Sequence, residues 1–164
     1  MRRIFIRPEL CAGCKNCQVA CLAEHSPAPS VWLVNLSDRG SRPRNFVELN
    51  AAGRPVPLSC RHCEDPECVA ACMSGALSKD PLTGVVAHDP EQCAGCWMCV
   101  MSCPFGMIAP GAGEKSIVKC DLCVDRGSPR CVEACPTGAI TLVKGIPPQG
   151  NKEQAIQVVG GVKQ

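Results

Sequence analysis

Residues 93–104 read Cys93-Ala94-Gly95-Cys96-Trp97-Met98-Cys99-Val100-Met101-Ser102-Cys103-Pro104, a C-x2-C-x2-C-x3-C run closed by proline. Three thiols this close together wrap one corner of a cubane and leave its fourth iron to a more distant cysteine. The same spacing recurs at Cys11, Cys14, Cys17 and Cys21. Two wider variants follow: Cys60, Cys63, Cys68, Cys72 (C-x2-C-x4-C-x3-C) and Cys120, Cys123, Cys131, Cys135 (C-x2-C-x7-C-x3-C). These four quartets use all 16 cysteines of the 164-residue chain. At four thiolates per centre they predict four [4Fe–4S] clusters.

Composition fits a fold held by cofactors. The 46% hydrophobic content counts the cysteines, and aromatics are only 3%: Phe5, Trp32, Phe46, Trp97 and Phe105. Glycine and proline supply 15 residues each and break up long helices and strands. The length suits one domain, or two small cluster-binding lobes fused into one unit. With so little ordinary core, clusters supply the missing cross-links, and the metal-free chain is expected to fold poorly.

Charge and hydropathy narrow the class further. Formal charge is +2 with neutral thiols. A cluster with four thiolates carries about −2, so the loaded protein lies near −6 by rough count. No basic run suggests nucleic acid. No apolar stretch approaches the roughly 18–20 residues of a bilayer span, so a membrane is reached only through a partner. A secreted disulfide scaffold also uses dense cysteines. Here Arg2-Arg3 is followed only by Ile4-Phe5-Ile6 before Arg7-Pro8-Glu9 closes the run, which is neither a signal segment nor a twin-arginine signal. The expected compartment is the reducing cytoplasm.

Along the chain, Arg3 to Arg7, Val85 to Ala87 (after the turn Pro81-Leu82-Thr83-Gly84) and Ile140 to Val143 are strand candidates. Short helices are expected over Cys17 to Glu24, Cys68 to Ala71 and Cys131 to Ala134, with Pro104 and Pro136 stopping their segments just after a cysteine. A repeat aligns Cys72-Met73-Ser74-Gly75-Ala76-Leu77 with Cys103-Pro104-Phe105-Gly106-Met107-Ile108 and Cys135-Pro136-Thr137-Gly138-Ala139-Ile140. Its glycine lets backbone amides approach sulfur closely. Leu22-Ala23-Glu24-His25 breaks the pattern after the first quartet. In the cysteine-free gap 22–59, Val31 to Leu36 and Phe46 to Leu49 have strand composition around polar Ser37 to Asn45, as an inserted hairpin between lobes. From Pro147 to Gln164, with Gly160-Gly161, the chain reads as a flexible tail.

Zinc is the other metal that fits an all-cysteine chain, as a zinc-stabilised interaction module. Zinc ribbons pair two C-x2-C units, whereas the first and third quartets place three ligands in seven residues. There is no C-x-x-C-H for haem and no C-x3-C-x2-C radical motif. His62, between Cys60 and Cys63, reads as solvated more readily than as a cluster-tuning group; His25 and His88 read as surface residues. Trp97 and Met98 are expected to shield a cluster, and Trp32 to pack conventionally.

The quartets resemble the four-cluster ferredoxin subunits of dimethyl sulfoxide reductase, formate dehydrogenase, formate-linked hydrogenase and carbon monoxide dehydrogenase, over residues 3–143. "CQVACLAEHS", "PLSCRHCEDPECVAACMSGAL" and "CAGCWMCVMSCPFGMI" look most like the carbon monoxide dehydrogenase iron–sulfur subunit. The resemblance implies an α+β polyferredoxin of two ferredoxin-like halves related by duplication, with short strands and helices. Residues 1–146 would form the four-cluster domain: one half from 3–24 and 115–143, the other from 56–112, an insertion at 25–55 and a tail at 147–164. It implies ligand sets Cys11, Cys14, Cys17, Cys135; Cys21, Cys120, Cys123, Cys131; Cys60, Cys63, Cys68, Cys103; and Cys72, Cys93, Cys96, Cys99. The expected role is an anaerobic electron-carrier subunit that is not itself an enzyme. It would take electrons from carbon monoxide dehydrogenase and pass them to a hydrogenase, flavoprotein or other oxidoreductase. A formate dehydrogenase, formate-linked hydrogenase or molybdopterin reductase is the alternative partner.

Overall fold

The structure, a computed structural model, describes residues 2–27, 30–35, 41–112 and 115–144. Its elements are short. Eight strands run β1 (Arg2–Ile6), β2 (Asn45–Leu49), β3 (Pro55–Ser59), β4 (Leu77–Lys79), β5 (Val86–His88), β6 (Ile108–Pro110), β7 (Ile117–Lys119) and β8 (Ile140–Lys144). Four helices intervene: α1 (Asn16–Glu24), α2 (Glu67–Ala70), α3 (Met98–Ser102) and α4 (Arg130–Glu133). The strands form four separate antiparallel ribbons, β1–β8, β2–β3, β4–β5 and β6–β7. β1 and β8 join the two ends of the described fold in the register Arg2↔Lys144 to Ile6↔Ile140. α1 packs on α4, and α2 on α3.

Cysteines share the interior with a few aliphatics. Cys17, Val47, Cys131 and Ile140 make one small core. Leu77, Val86, Cys99, Ile108 and Ile117 make another, flanked by Cys68, Cys72 and Cys103. Val85, Cys120 and Leu122 make a third, against Ile4 and Cys60. This last core joins β1 to the β4–β5 region, helped by the Arg2 amide donating to the Thr83 carbonyl at 2.9 Å. The α+β architecture is the one the resemblance implies, and its short elements accord with the breaker-rich composition.

Several elements differ from expectation. Residues 31–33 form a turn and no strand occurs within 30–35; Trp32 is 94% exposed rather than packed. The expected partner of Phe46 to Leu49 is therefore replaced by β3, which contains Pro55 and Pro57. Proline is a poor strand residue in a sheet interior, but both strands of a two-stranded ribbon are edge strands, which tolerate proline where the nitrogen faces away from the partner. Asn50 closes the hairpin, its Oδ1 accepting the amides of Ala52 (3.0 Å) and Arg54 (2.9 Å). The hairpin does touch both neighbouring regions: Val47 joins the Cys17 core, and Phe46 faces Met107, Ile108 and Val118 across a groove. α3 carries the third cysteine of its quartet, Cys99, as α1 carries Cys17, although no helix is expected there from the sequence. β7 pairs with β6, so Ile117–Lys119 sides with residues 56–112 rather than with 3–24. The expected tail at 147–164 lies outside the described residues.

Candidate metal centres

Each of the six C-x2-C units holds one left-handed residue between its ligands: Gly13 (φ 70°), Lys15 (60°), His62 (45°), Gly95 (70°), Trp97 (55°) and Leu122 (59°). That reversal turns successive thiols toward a common point. For the four non-glycine residues it costs roughly 1–2 kcal/mol each, a cost that persists only where something else holds the loop.

All 16 cysteines are free thiols. Cys11, Cys14, Cys17 and Cys135 line one cavity, beside Val47 and Ile140. Cys60, Cys63, Cys68 and Cys103 line a second, roofed by the Arg61 guanidinium 4.5 Å from the Phe105 ring centre. A third group is read from mutual repulsion: burial, then the thiolates of Cys120, Cys21 and Cys123, push Cys131 far above the ordinary thiol range. Burial, with Cys60 next, pushes Cys120 up to about 12. In the fourth group, burial and then Cys72 raise Cys99, with Cys93 adding less. Cys96, on the same loop, is exposed, as is Cys14 in the first cavity.

The groups adjoin one another in sequence. Cys17 packs with Cys131, Cys120 with Cys60, and Cys68 and Cys103 share a core with Cys72 and Cys99. Such crowding of buried thiols, raised to about 11 by burial at Cys17, Cys21 and Cys68, is unfavourable for thiolates unless a cation draws them together. The donor chemistry therefore suits iron in a thiolate cage.

The repeat glycines Gly75, Gly106 and Gly138 all have positive φ (71°, 62° and 65°). Around them the backbone turns onto sulfur. At Cys72 and Cys135 burial is the largest single effect, but hydrogen bonds from amides (Leu77 and Ile140 foremost) and from the Ser74 and Thr137 hydroxyls together outweigh it, and both thiols fall below their usual range. The Met107 amide donates to Cys103 Sγ at 3.4 Å. Gly138→Ala meets no close atom, since the nearest is an Arg7 nitrogen 3.8 Å from the added carbon. Its cost is thus backbone strain alone, about 1 kcal/mol; a correspondingly lower denaturation midpoint of the loaded protein is expected, and an unchanged one contradicts this reading of the turn.

The histidines depart from expectation. His62 is 1% exposed, not solvated; its Nδ1 accepts the Val86 amide at 2.9 Å. Burial, then Lys119, drive it down to about 3, so it is neutral. His25 is largely covered: its side chain is 12% exposed, with Nε2 3.7 Å from Asp121 Oδ1 and 4.0 Å from Cys123 Sγ. His88 is half-buried. Arg44 completes this polar shell by pairing with Asp121 at 2.5 Å, while its amide donates to Cys21 Sγ at 3.3 Å. For Asp121, burial is outweighed by Arg44, the Cys123 amide and His25, and its carboxyl stays below the usual range. Trp97 and Met98 are 44% and 47% exposed, so they border their centre without sealing it from water. Sequence reading also missed Lys119, which is 5% exposed and donates from Nζ to the carbonyls of Val86 (2.6 Å) and Cys120 (2.9 Å).

Residues 53–145 match the 4Fe–4S dicluster domain family, a span that holds the second, third and fourth quartets. The chain belongs to this family. Relatives of this dicluster protein include the iron–sulfur protein of Rhodospirillum rubrum, 37% identical over 156 residues and covering 85% of this chain and 80% of the relative. The polyferredoxin-like subunit of the Pyrococcus furiosus aliphatic sulfonate oxidoreductase is 42% identical over 132 residues, covering 80% and 70%. A component of the Shigella flexneri anaerobic dimethyl sulfoxide reductase is 35% identical over 144 residues, covering 83% and 70%. The dicluster family, the 16 cysteines and these relatives together fit four [4Fe–4S] clusters. Among the described residues no helix is long and apolar enough to cross a membrane.

Proposed function

We propose that this chain is the electron-carrier subunit of an oxidoreductase complex, relaying single electrons through four clusters and carrying out no substrate chemistry itself. The observation that carries the reading is the succession of sulfur groups. Cys14 and Cys96 are exposed members of the first and last, and the buried contacts Cys17–Cys131 and Cys120–Cys60 link the groups between. Each cluster supplies a site that accepts and releases one electron. The protein holds them, excludes water around Cys120 and Cys131, and aims amides at sulfur.

The ligand sets that best suit these contacts are Cys11, Cys14, Cys17, Cys135; Cys21, Cys120, Cys123, Cys131; Cys60, Cys63, Cys68, Cys103; and Cys72, Cys93, Cys96, Cys99. The α1–α4 and α2–α3 pairs are consistent with two halves of a duplicated ferredoxin unit within residues 1–146. Cytoplasmic placement follows from the reducing conditions that such thiolates require.

For the partner, the segments around the first three quartets favour carbon monoxide dehydrogenase as donor, with a hydrogenase or flavoprotein as acceptor. Anaerobic purification from the native source tests this. Co-elution with carbon monoxide dehydrogenase supports it; a stable complex with a formate dehydrogenase, a sulfonate oxidoreductase or a molybdopterin reductase overturns the partner and keeps the carrier. The carrier itself predicts about sixteen irons per chain and a broad visible absorption that bleaches with dithionite. Colourless protein with stoichiometric zinc overturns it in favour of a zinc-stabilised interaction module.

A further inference from the structure

Among the described residues, eight buried side-chain nitrogens and oxygens find no hydrogen-bond partner, and His62 Nε2 belongs to the most enclosed residue of them. Because Nδ1 accepts the Val86 amide, the ring proton resides on Nε2. His62 lines the cavity of Cys60, Cys63, Cys68 and Cys103, and its buried Nε2–H has no partner among the described residues. Leaving it so costs about 1–3 kcal/mol. The His62 φ of 45° is the left-handed turn shared by all six C-x2-C units, and it seats the ring next to the ligands Cys60 and Cys63.

What can accept this proton? Among the described residues no protein atom does. Glu67 is the one carboxylate on the rim, and it is exposed. Lys119, on the same wall, is itself a donor already committed to two carbonyls. The acceptor that the cavity is otherwise built to receive is inorganic sulfide. Hydrogen bonds to cluster sulfur stabilise the more negative, reduced form and raise the potential.

We propose that His62 is a positioning residue for electron transfer: its Nε2–H donates to a sulfide of the cluster held by Cys60, Cys63, Cys68 and Cys103, making that inner centre easier to reduce than it would otherwise be. The proposal rests on the ligand sets given above. Val86 acts as the anchor, since its amide holds Nδ1 and so fixes the tautomer. An electron then rests inside the chain instead of at its exposed ends.

The test uses reduced, fully loaded protein grown with ¹⁵N-histidine. Pulsed electron paramagnetic resonance is expected to show a ¹⁵N coupling and an exchangeable proton on one cluster. His62→Asn tolerates positive φ, is too short to reach, and is expected to abolish both. It should also lower one potential by at least tenfold in the reduction equilibrium, or 59 mV for one electron, while the iron count holds. If that variant fails to load, His25→Gln/His88→Gln leaves His62 as the sole histidine, and the ¹⁵N signal must survive there. Absence of any ¹⁵N coupling in the parent protein, or four unmoved potentials in loaded His62→Asn, overturns the proposal. Fewer than sixteen irons in the parent protein indicts the four-cluster reading instead.

Discussion

Lys119→Met is expected to be among the most damaging single changes to the loaded protein. The ammonium is buried and satisfies the Val86 and Cys120 carbonyls, which come from opposite sides of the junction between β5 and the fourth quartet. Methionine fills the space and leaves both carbonyls unpaired, at about 1–3 kcal/mol each. It also removes the cation that opposes burial at Cys68, and to a lesser degree at Cys120, so two neighbouring clusters lose a compensating charge. The loaded variant should bleach at least tenfold faster in guanidinium under anaerobic conditions. The potentials of the two clusters flanking the lysine should move negative, and the other two should stay. Parent-like bleaching and potentials would show the lysine to be mere filler.

Stripping iron is expected to have a still broader effect. Among the described residues the α-helices have 9, 4, 5 and 4 residues and no strand exceeds 5. Isolated helices below about 12–15 residues are marginal in water, and a two-stranded ribbon is little better. The three cores are small and built around sulfur. Without metal, the strained loops at Lys15, His62, Trp97 and Leu122 have nothing to hold them. Structural metal sites supply on the order of 10 kcal/mol to small domains, which is more than this chain can replace. Chelation under reductant should abolish most far-ultraviolet dichroism, and iron with sulfide should restore it. Apo-protein that keeps over half of its signal would refute this dependence.

These two outcomes also mark what was legible in the sequence. Cysteine spacing is a strong local code, and it foretold α1, α2, α4 and the close approach of backbone amides to sulfur around Gly75, Gly106 and Gly138, because ligand geometry dictates where the backbone must come near. β1 and β8 were legible as short apolar runs. Composition misled where tertiary setting overrode it. Val31 to Leu36 looked like a strand but has no ribbon partner within the described residues, while Pro55 and Pro57 hid β3. His62 and Lys119 are polar, and polarity reads as exposure until burial is seen. The one clue to His62 was its position between two ligands; Lys119 gave only its place next to Cys120.

The cavity that Cys135 shares with Cys11, Cys14 and Cys17 carries a consequence for biogenesis. The first site begun on the ribosome is the last whose walls are complete, because one wall arrives only when translation has passed residue 135. The four cysteines of the second cavity, by contrast, fall within 44 residues, and its last wall residue is Lys119, so it can be furnished before Cys135 is made. Closing the long loop is the slower search. Cells starved of iron or sulfide should therefore accumulate a half-furnished species, metallated in its middle and open at both termini.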